Sequence, residues 1–379
     1  MTPVAGLTEE LIHSHTTAFY DLRLRYQMRP EDGDAFDVLF RYPVVHFGVI
    51  VGDLSHVDLH RQSSTYRSTL GYTIAAYYGF ERFFFQRKRW ALGYDIFNGV
   101  SFNTRPYDAF KNVDNEYIGA HLSIFLGLGL TARYRITPQW TLSASIDFKH
   151  YSAASMVRPN LGVNSFGPTV GVTYDFAPQS LCAPTELPTA QRAADVRHED
   201  ARRFYCELTA AVVPKALPDE YNYLVAQNAS DPSRCPVYVG YNTMLSAMYR
   251  YRLHHATGIA IDYSYLPYVN RLKELDAPQN HDVIDGRLLR YSPHVLGFGV
   301  RHDVIYRHLS INLGLGLYAR RRMGWRAETQ ESPFYQFIGI NYALPCTHDR
   351  LFAGFMIKAF RFSKVDGMYF GLGWRFRKK

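Results

Sequence analysis

The sequence predicts an all-β protein, an outer-membrane antiparallel β-barrel of about 14 strands (12–16). Large apolar residues alternate with small or polar ones along most of the 379 residues, as in Leu122–Leu130 and Leu309–Leu317. Aromatic residues make up 15% of the chain and often stand at the ends of these segments, where interfacial girdles belong. No window holds the ~18 uncharged apolar residues of a spanning helix, which excludes helical membrane proteins.

Two architectures produce such alternation. A soluble sandwich buries the apolar face in a core, whereas a membrane barrel turns it to lipid and keeps polar residues inside. Arg250 and Asp262 stand on the polar face of their segments, and the alternating segment Met368–Phe376 resembles the aromatic last strand of outer-membrane barrels. These features favour the membrane barrel. A soluble protein stays open as an alternative, and partitioning without detergent tests it.

Each strand follows from the same alternation. The candidate strands are 35–50, 66–82, 89–104, 116–135, 139–151, 165–176, 202–214, 236–253, 256–267, 292–303, 306–319, 333–343, 350–360 and 366–376. The connections 136–138, 254–255, 304–305 and 344–349 are short and are expected in the periplasm, whereas 105–115, 152–164, 215–235, 268–291 and 320–332 are longer and are expected outside.

This threading divides the chain into a barrel, 35–376, and two terminal segments. Residues 1–34 are expected to be a periplasmic or plugging segment, in which 17–28 has the pattern of one more strand. The Pro- and Ala-rich stretch 177–201 is expected to be a long periplasmic connection, and 377–379 is a basic tail.

The cysteines, the start of the chain and its charge bear on location. Cys182, Cys206, Cys235 and Cys346 have no metal-site spacing; a Cys182–Cys206 disulfide and reduced thiols both stay open. The start of the chain lacks a basic, apolar leader, so we expect either a removed signal peptide or a different start codon. The net charge of +8 is spread along the chain, which argues against nucleic acid and suits anionic lipopolysaccharide.

The hairpin 139–176 carries the candidate chemistry. In its first strand Trp140, Leu142, Ala144, Ile146 and Phe148 form the predicted lipid-facing row, and Thr141, Ser143, Ser145, Asp147 and Lys149 the lumen row. By parity His150 and Ser152 continue the lipid-facing row. Asn164 has the same parity in the returning strand, with Phe166 and Val170. A histidine, a serine and an amide are therefore expected together on the outside of the barrel.

Ester hydrolysis needs a hydroxyl nucleophile, an imidazole base and a group that orients the imidazole. Ser152, His150 and Asn164 are the candidates for these roles, in that order. The ten residues from Trp140 to His150 span about 34 Å of strand, or roughly 26 Å of height after tilt, which matches the apolar band. Interfacial decoration is the alternative explanation for such polar residues at a strand end.

His150-Tyr151-Ser152, followed by Pro159-Asn160, Gly162 and Asn164, resembles the active-site hairpin of the PagL-type lipid A 3-O-deacylases. The similarity covers about 115–176, includes the upstream Asn112–Asn115, and is fainter from Lys358 to Phe376. It implies a larger-barrel relative of a compact eight-stranded family. In that family a His-x-Ser motif on the lipid-facing wall supplies base and nucleophile, and an acid fourteen residues after the histidine completes the triad.

Three departures from the family pattern concern activity. The acid is replaced by Asn164, which can accept a hydrogen bond but carries no charge. Ala153 stands where the family has an oxyanion-hole asparagine, and Ser155 stands where it has a glycine, keeping only the backbone N–H. Lys149 and Arg158 are candidate contacts for lipid A phosphates, with solvated rim charges as the alternative.

The expected function is that of an outer-membrane lipid A deacylase, a carboxylic ester hydrolase that uses no metal and no cofactor. Its expected partners are lipid A or lipopolysaccharide and the outer-membrane bilayer of a Gram-negative bacterium. The alternative is a non-catalytic barrel, either a channel or a binding or assembly component, in which the deacylase motif has decayed. Asn164 and Ala153 favour this alternative.

Overall fold

The computed structural model of the protein describes residues 17–28, 34–59, 67–178, 203–361 and 364–377. Two compact units divide the chain: one comprises Met1–Ala153 and Pro159–Asp195, the other Ala154–Arg158 and Val196–Lys379. A large antiparallel sheet forms the body of each unit. Among the described residues, no helix has the length and apolar character needed to cross a membrane.

The first unit is a seven-stranded sheet whose strands follow chain order. They are β1 (Ala18–Gln27), β2 (Val44–Leu59), β3 (Ser68–Gln86), β4 (Trp90–Asn103), β5 (Leu122–Arg135), β6 (Trp140–Ser152) and β7 (Val163–Tyr174). One short helix, α1 (Ala35–Phe40), precedes β2. Asp34 and Asp37 form a capping box at its start, which explains why these residues begin a helix.

The second unit is a closed barrel of eight strands in the order β10-β13-β14-β15-β16-β17-β8-β9. Its strands are β8 (Arg203–Ala216), β9 (Val237–Arg252), β10 (His255–Tyr265), β13 (His294–Tyr306), β14 (Leu309–Arg320), β15 (Phe334–Ala343), β16 (Leu351–Phe360) and β17 (Lys364–Arg377). Its longer connections carry α2 (Pro218–Ala226), α3 (Val269–Asp276), the short pair β11 (Val283–Ile284) and β12 (Arg287–Leu288), and α4 (Trp325–Thr329).

Side chains in both sheets alternate between an apolar outer face and a packed inner face. On β1 the outward Tyr20, Leu22, Leu24 and Tyr26 are 63–80% exposed. The glycines between the outward leucines make room for aromatic rings inside. A Cβ on Gly127 would lie 1.8 Å from the Phe97 ring, and one on Gly316 would lie 2.1 Å from the Tyr335 ring. The sequence alternation therefore reflects apolar residues outside and close packing inside.

Ion pairs bridge the inner face of the first unit. Arg23 on β1 lies 2.7 Å from the Asp95 carboxylate on β4. Arg25 and Arg133 both pair with Glu81 on β3. These ion pairs join side chains from strands that are not neighbours in the sheet.

The lumen of the second unit is also filled with charged side chains. Arg301 contacts Glu207 and Asp303, each at 2.7 Å, and Arg375 lies 2.6 Å from the other oxygen of Glu207. Lys358, fully buried, pairs with Asp262. A cavity of about 40 Å³ beside Arg301 has room for only a few water molecules.

The helices in the long connections of the second unit are held together by ion pairs over an apolar cluster. Arg326 of α4 lies 2.8 Å from Asp219 of α2, and Arg271 of α3 lies 2.8 Å from Glu220 of α2. The buried apolar residues beneath them include Leu217, Leu266, Leu272, Leu275 and Met323.

The structure corrects the predicted architecture in two places. The single barrel of about 14 strands is wrong, because the described strands form two separate sheets with no pairing between β7 and β8. Residues 35–40 form α1, and their strand begins only at Val44. The additional strand expected at 17–28 is β1, which pairs along its whole length with β2, whereas the periplasmic or plugging role of residues 1–34 stays a prediction.

The remaining terminal and cysteine predictions fall largely outside the described residues. Residues 1–16, the connection 179–202 and the last two residues lie outside them. Among the described residues, Cys206, Cys235 and Cys346 form no disulfide with one another. The suggested partner of Cys206, Cys182, lies outside the described part of the chain.

Candidate active site

His150 and Asn164 are direct partners across β6 and β7. On β6, Asp147, Lys149 and Tyr151 are buried on the inner face, whereas His150 and Ser152 are half-buried on the other face. Phe166, two residues after Asn164 on β7, is 49% exposed on that same outer face. The strand alternation therefore places His150, Ser152 and Asn164 together on the outer face of the first sheet.

A hydrogen bond of 2.6 Å joins Nδ1 of His150 to Oδ1 of Asn164. An amide oxygen only accepts, so the proton of this bond belongs to Nδ1 of the imidazole. Nε2 then carries the lone pair that a general base needs. The pair therefore sets the imidazole tautomer that would take a proton from a serine hydroxyl.

Asn160 contacts both Ser152 and the residue after it. Its Nδ2 donates to Oγ of Ser152 at 2.9 Å, and its Oδ1 accepts from the backbone N–H of Ala153 at 3.0 Å. The side chain is 9% exposed. Asn160 belongs to the Pro159-Asn160 motif, but strand periodicity assigns it no role. Its contact with Ser152 is made by a loop, and loop contacts produce no periodic pattern in the sequence.

Gly162 lets the loop backbone pass close to the imidazole. Its φ is +80°, a conformation that favours glycine. A Cβ at this position would lie 2.9 Å from Cε1 of His150 and 3.4 Å from Cβ of Ser152. The loop therefore covers one side of the His150 ring.

The outer loop before β5 fixes the position of this segment. The carbonyls of Glu116 and Tyr117 accept from the N–H groups of Leu161 (3.0 Å) and Gly162 (2.9 Å). Asn115, fully buried, orders the turn that presents them, because its Oδ1 accepts from Tyr117 and Ile118 and its Nδ2 donates to the carbonyl of Arg105. The upstream motif that resembles the family thus supports the Asn160–Gly162 loop.

The two residues predicted for the oxyanion hole, Ala153 and Ser155, belong to different units. The N–H of Ala153 already donates to Asn160, so it is not free for an oxyanion in this arrangement. Ser155 is 1% exposed and belongs with residues 154–158 to the second unit. Its hydroxyl donates to the carbonyl of Pro214 at 3.5 Å, and its own carbonyl accepts from the N–H of Ala216 at 2.7 Å.

The predicted phosphate-binding residues are also engaged. Lys149 is on the inner face, with its amino group 3.2 Å from Asp147 and 5.2 Å from the centre of the Phe19 ring. Lys149 therefore lies on the face opposite His150 and Ser152, and its contact with lipid phosphates stays a prediction. The Nε–H of Arg158 donates to the carbonyl of Ala216 at 3.1 Å. Burial, helped by the nearby Arg326, lowers the pKa of Arg158 to about 10.

The described residues contain no group of three or more His, Cys, Asp or Glu side chains arranged to hold a metal ion. The arrangement around His150 instead contains the elements of nucleophilic ester chemistry. It combines a hydroxyl, an oriented imidazole and an amide donor on the hydroxyl oxygen.

Two family models match consecutive parts of the chain. Residues 21–173 match "Lipid A 3-O-deacylase (PagL)", and residues 210–378 match "Acyloxyacyl hydrolase, C-terminal domain". The boundary between the matches falls between β7 and β8, where one sheet ends and the other begins. The first match contains the whole of the His150–Asn164 hairpin.

Three solved structures of outer-membrane proteins resemble this chain only weakly, with low TM-scores. The channel DcaP of Acinetobacter baumannii is 11% identical, with coverage of 99% of this chain and 100% of that chain and a TM-score of 0.19. The siderophore receptor PirA of Pseudomonas aeruginosa is 11% identical (coverage 95% and 63%, TM-score 0.22), and the alcaligin receptor FauA of Bordetella pertussis is 13% identical (95% and 61%, 0.24). The chain thus spans less than two thirds of either receptor, and TM-scores this low carry no argument.

A comparison with curated proteins found no match. The two family matches support a hydrolase of the lipid A deacylase type and an outer-membrane location. The two matched ranges, one in each unit, together support a PagL-type family of acyloxyacyl hydrolases for this chain.

Proposed function

We propose that this protein hydrolyses an ester-linked acyl chain of lipid A on the lipid-facing wall of its first sheet. Ser152 is the nucleophile, His150 the general base and Asn164 the residue that orients the imidazole. The observation that carries the proposal is the 2.6 Å bond between His150 and Asn164 on the outer face, with Ser152 two residues along the same row.

The reaction proceeds in two steps. Oγ of Ser152 attacks the ester carbonyl carbon while its proton moves to Nε2 of His150. The imidazolium then returns that proton to the departing sugar oxygen, which leaves an acyl-serine. A water molecule, deprotonated by His150, attacks the acyl-serine, and the fatty acid leaves as Ser152 regains its proton. Oδ1 of Asn164 holds the Nδ1 proton throughout both steps.

Asn160 supplies the donor for the oxyanion. In the resting site its Nδ2 donates to Oγ of Ser152, so the amide already lies beside the atom that becomes bonded to the tetrahedral carbon. A small movement redirects the donor to the negative oxygen as Oγ attacks. The loss of one such donor costs roughly 10²–10³ in rate in other hydrolases.

The surroundings of the trio suit an acyl substrate. Ile124 and Leu126 on β5 are the direct strand partners of Ser152 and His150. Phe166 on β7 and Leu161 in the loop are exposed beside them. His150 is estimated to lie at a height of roughly 26 Å above Trp140. This height corresponds to the boundary of the outer leaflet, where lipid ester groups lie. An acyl chain can therefore lie along these side chains while its ester reaches Ser152.

One observation favours the alternative of a barrel that has lost catalysis. Asn164 keeps the hydrogen bond to His150, but a neutral amide stabilises an imidazolium less than a carboxylate does. Such a protein would retain the fold and the lipid contact without turnover. A conducting channel is less well supported, because buried ion pairs fill the lumen of the second unit.

The test is mass spectrometry of lipid A from cells that express the wild type, Ser152→Ala, or the control Ser145→Ala. Ser145 lies on the same strand with inner-face parity, so its loss leaves the site intact. We expect an acyl chain to be lost with the wild type and the control, and retained with Ser152→Ala. The same acylation pattern in all three would remove the catalytic proposal.

A further inference from the structure

A cleft of about 380 Å³ opens in the second unit, lined by Tyr263, His294, Val295, Leu296 and Arg320. These five residues are here called the bulge cleft. They lie where β10 ends, β13 begins and β14 ends, beside the long connections of the second unit. Tyr263, His294 and Arg320 are exposed. The cleft belongs wholly to the second unit, and the proposed hydrolysis makes no use of it.

A β-bulge places Arg320 in this cleft. Along β14 the odd-numbered leucines face outward, and Tyr318 is buried in the lumen opposite Gly297. Regular alternation would turn Arg320 into the lumen as well. The register shifts between Leu296 and Gly297, however, so that Arg320 stands opposite the outward Leu296 and Ala319 is the extra residue. The bulge thus re-aims one arginine to the outer surface, a use for which bulges are known.

The polar groups of the bulge cleft are ordered by hydrogen bonds. The hydroxyl of Tyr263 and Nδ1 of His294 lie 2.7 Å apart, and the Tyr265 ring lies 5.4 Å from the His294 ring. Nη2 of Arg320 donates to Oγ of Ser292 at 3.2 Å. An arginine has five N–H donors, so this one bond leaves most of the guanidinium available. Among the described residues Arg320 forms no ion pair.

The charge around the cleft is positive. Arg290 and Arg322 are exposed on the two segments that border it, and the N–H of Ser292 donates to the carbonyl of Arg322. Two carboxylates of the surrounding segments have partners of their own. Glu331 pairs with Arg321, and Asp276 accepts from the hydroxyl of Tyr291. An anion would therefore meet guanidinium groups for which the described residues supply no ion-pair partner.

An apolar surface adjoins the polar one on the same face. Phe298 and Leu317, direct strand partners next to the bulge, are 48% and 45% exposed, and Ile261 is 45% exposed. A ligand that fits both surfaces carries an anionic head and an apolar tail. Arginine and histidine suit a phosphate because the guanidinium can donate two parallel hydrogen bonds to it.

We propose that the bulge cleft binds the phosphate of a membrane lipid headgroup, with the acyl chains of that lipid along Phe298 and Leu317. This site is distinct from the proposed active site, because it requires neither Ser152 nor His150. Its function is to hold a phosphorylated lipid at the outer rim of the second unit. The charge complementarity and the outward bulge select this occupant over a neutral one.

Native mass spectrometry of the full chain in detergent tests the proposal, with Ser152→Ala as the background to prevent turnover. The probes are bis-phosphorylated lipid A, the same lipid after dephosphorylation, and inorganic phosphate. Arg320→Ala removes the guanidinium and Arg320→Lys keeps the charge. Arg252→Ala, an exposed arginine at the other end of the barrel, is the matched control. Heat-modified migration on gels verifies that each variant is folded.

We expect Arg320→Ala to lower the affinity of one binding site for phosphorylated lipid by about tenfold or more. This change corresponds to the loss of one charge-assisted contact. Arg320→Lys should weaken it less, and Arg252→Ala should bind as the background does. Equal affinity of Arg320→Ala and the background overturns the proposal. Equal binding of both lipid forms, or occupancy of the site by inorganic phosphate in preference to lipid, also overturns it. Deacylation by the Arg320 variants with Ser152 intact is measured separately.

Discussion

Nδ1 of His150 lies 2.6 Å from Oδ1 of Asn164, across a strand pair in which the two residues stand directly opposite each other. The bond is short and both partners are half-buried, so the imidazole has one preferred orientation. Asn164 thus makes the hydrogen bond expected of the third residue of the proposed triad, but its amide carries no charge. Orientation and charge stabilisation are separable in this protein, and the first prediction separates them.

Asn164→Asp should raise kcat, because an isosteric carboxylate keeps the hydrogen bond to Nδ1 and also stabilises the imidazolium. We expect a gain of about 10- to 10³-fold for lipid A deacylation, on the scale of electrostatic contributions in hydrolases. Asn164→Ala should lower kcat below that of the wild type. Kinetics on purified protein with defined lipid A decide the question. A slower Asp variant would mean that the site has adapted to the amide.

Asn160→Ala should lower kcat by roughly 10²–10³ while KM changes little, because the lost donor acts on the oxyanion and not on the bound ester. The exposed Asn270→Ala on α3 serves as a control for the same chemical change. An increase in KM alone would show that Asn160 binds substrate in its ground state. Unchanged kinetics would remove it from the mechanism.

Gly162→Ala should impair catalysis through the position of the base. The added Cβ would stand 2.9 Å from Cε1 of His150, and the φ of +80° strains a side-chain-bearing residue. We expect a loss of kcat of at least about tenfold, since small misplacements of catalytic groups are costly. Gly286→Ala is the matched control, because its φ is +73° and no atom lies within 4 Å of the new Cβ. Equal activity of the two variants would contradict the prediction.

The thiol of Cys235 should be slow to alkylate in the folded protein. Burial, reinforced by the nearby Glu220 and opposed by Arg158, raises the pKa of Cys235 to about 11. Because the neutral thiol is unreactive, the rate at pH 8 should be about a hundredfold below that of the unfolded chain and should climb until pH approaches the raised pKa. Iodoacetamide labelling of a variant that keeps only Cys235, with and without guanidinium, measures this. A rate that levels off near pH 9 would contradict it.

Lys358→Met should destabilise the second unit. The fully buried ammonium pairs with Asp262 and lies 4.4 Å from the centre of the Tyr369 ring. Its loss leaves a buried carboxylate without its countercharge, at a cost of about 3–5 kcal/mol in the free energy of unfolding. Lys358→Met/Asp262→Asn should recover most of that stability. Urea unfolding in lipid vesicles, followed by tryptophan fluorescence, compares the three proteins, and an additive double variant would argue against the pairing.

The alternation of the sequence predicted most strands within a few residues, because each side chain alone reports which face of a sheet it occupies. Alternation does not report which strand closes on which, so one large barrel was predicted where two sheets form. The Pro- and Ala-rich stretch 177–201, expected to be a long periplasmic connection, lies in the sequence between the two sheets. Residues 35–40 were predicted as strand, although Asp34 and Asp37 have the spacing of a helix cap.

For the candidate site, the sequence predicted which side chains share a face but not the contacts made by the loops. Parity alone placed His150, Ser152 and Asn164 on one face, and it placed Lys149 on the opposite face, where Lys149 pairs with Asp147. The contact between Asn160 and Ser152 depends on a loop held by the carbonyls of Glu116 and Tyr117. Such contacts between distant loops have no period in the sequence and become visible only in three dimensions.

The charged lumen of the second unit has a consequence for how this protein can evolve. Glu207 sits between Arg301 and Arg375, and Asp303 shares Arg301 with it. A mutation at one of these positions leaves the neighbouring buried charge without its partner, which lowers stability. Single substitutions are therefore disfavoured, and paired replacements are favoured. Among descendants of this chain, the four positions should therefore change in concert.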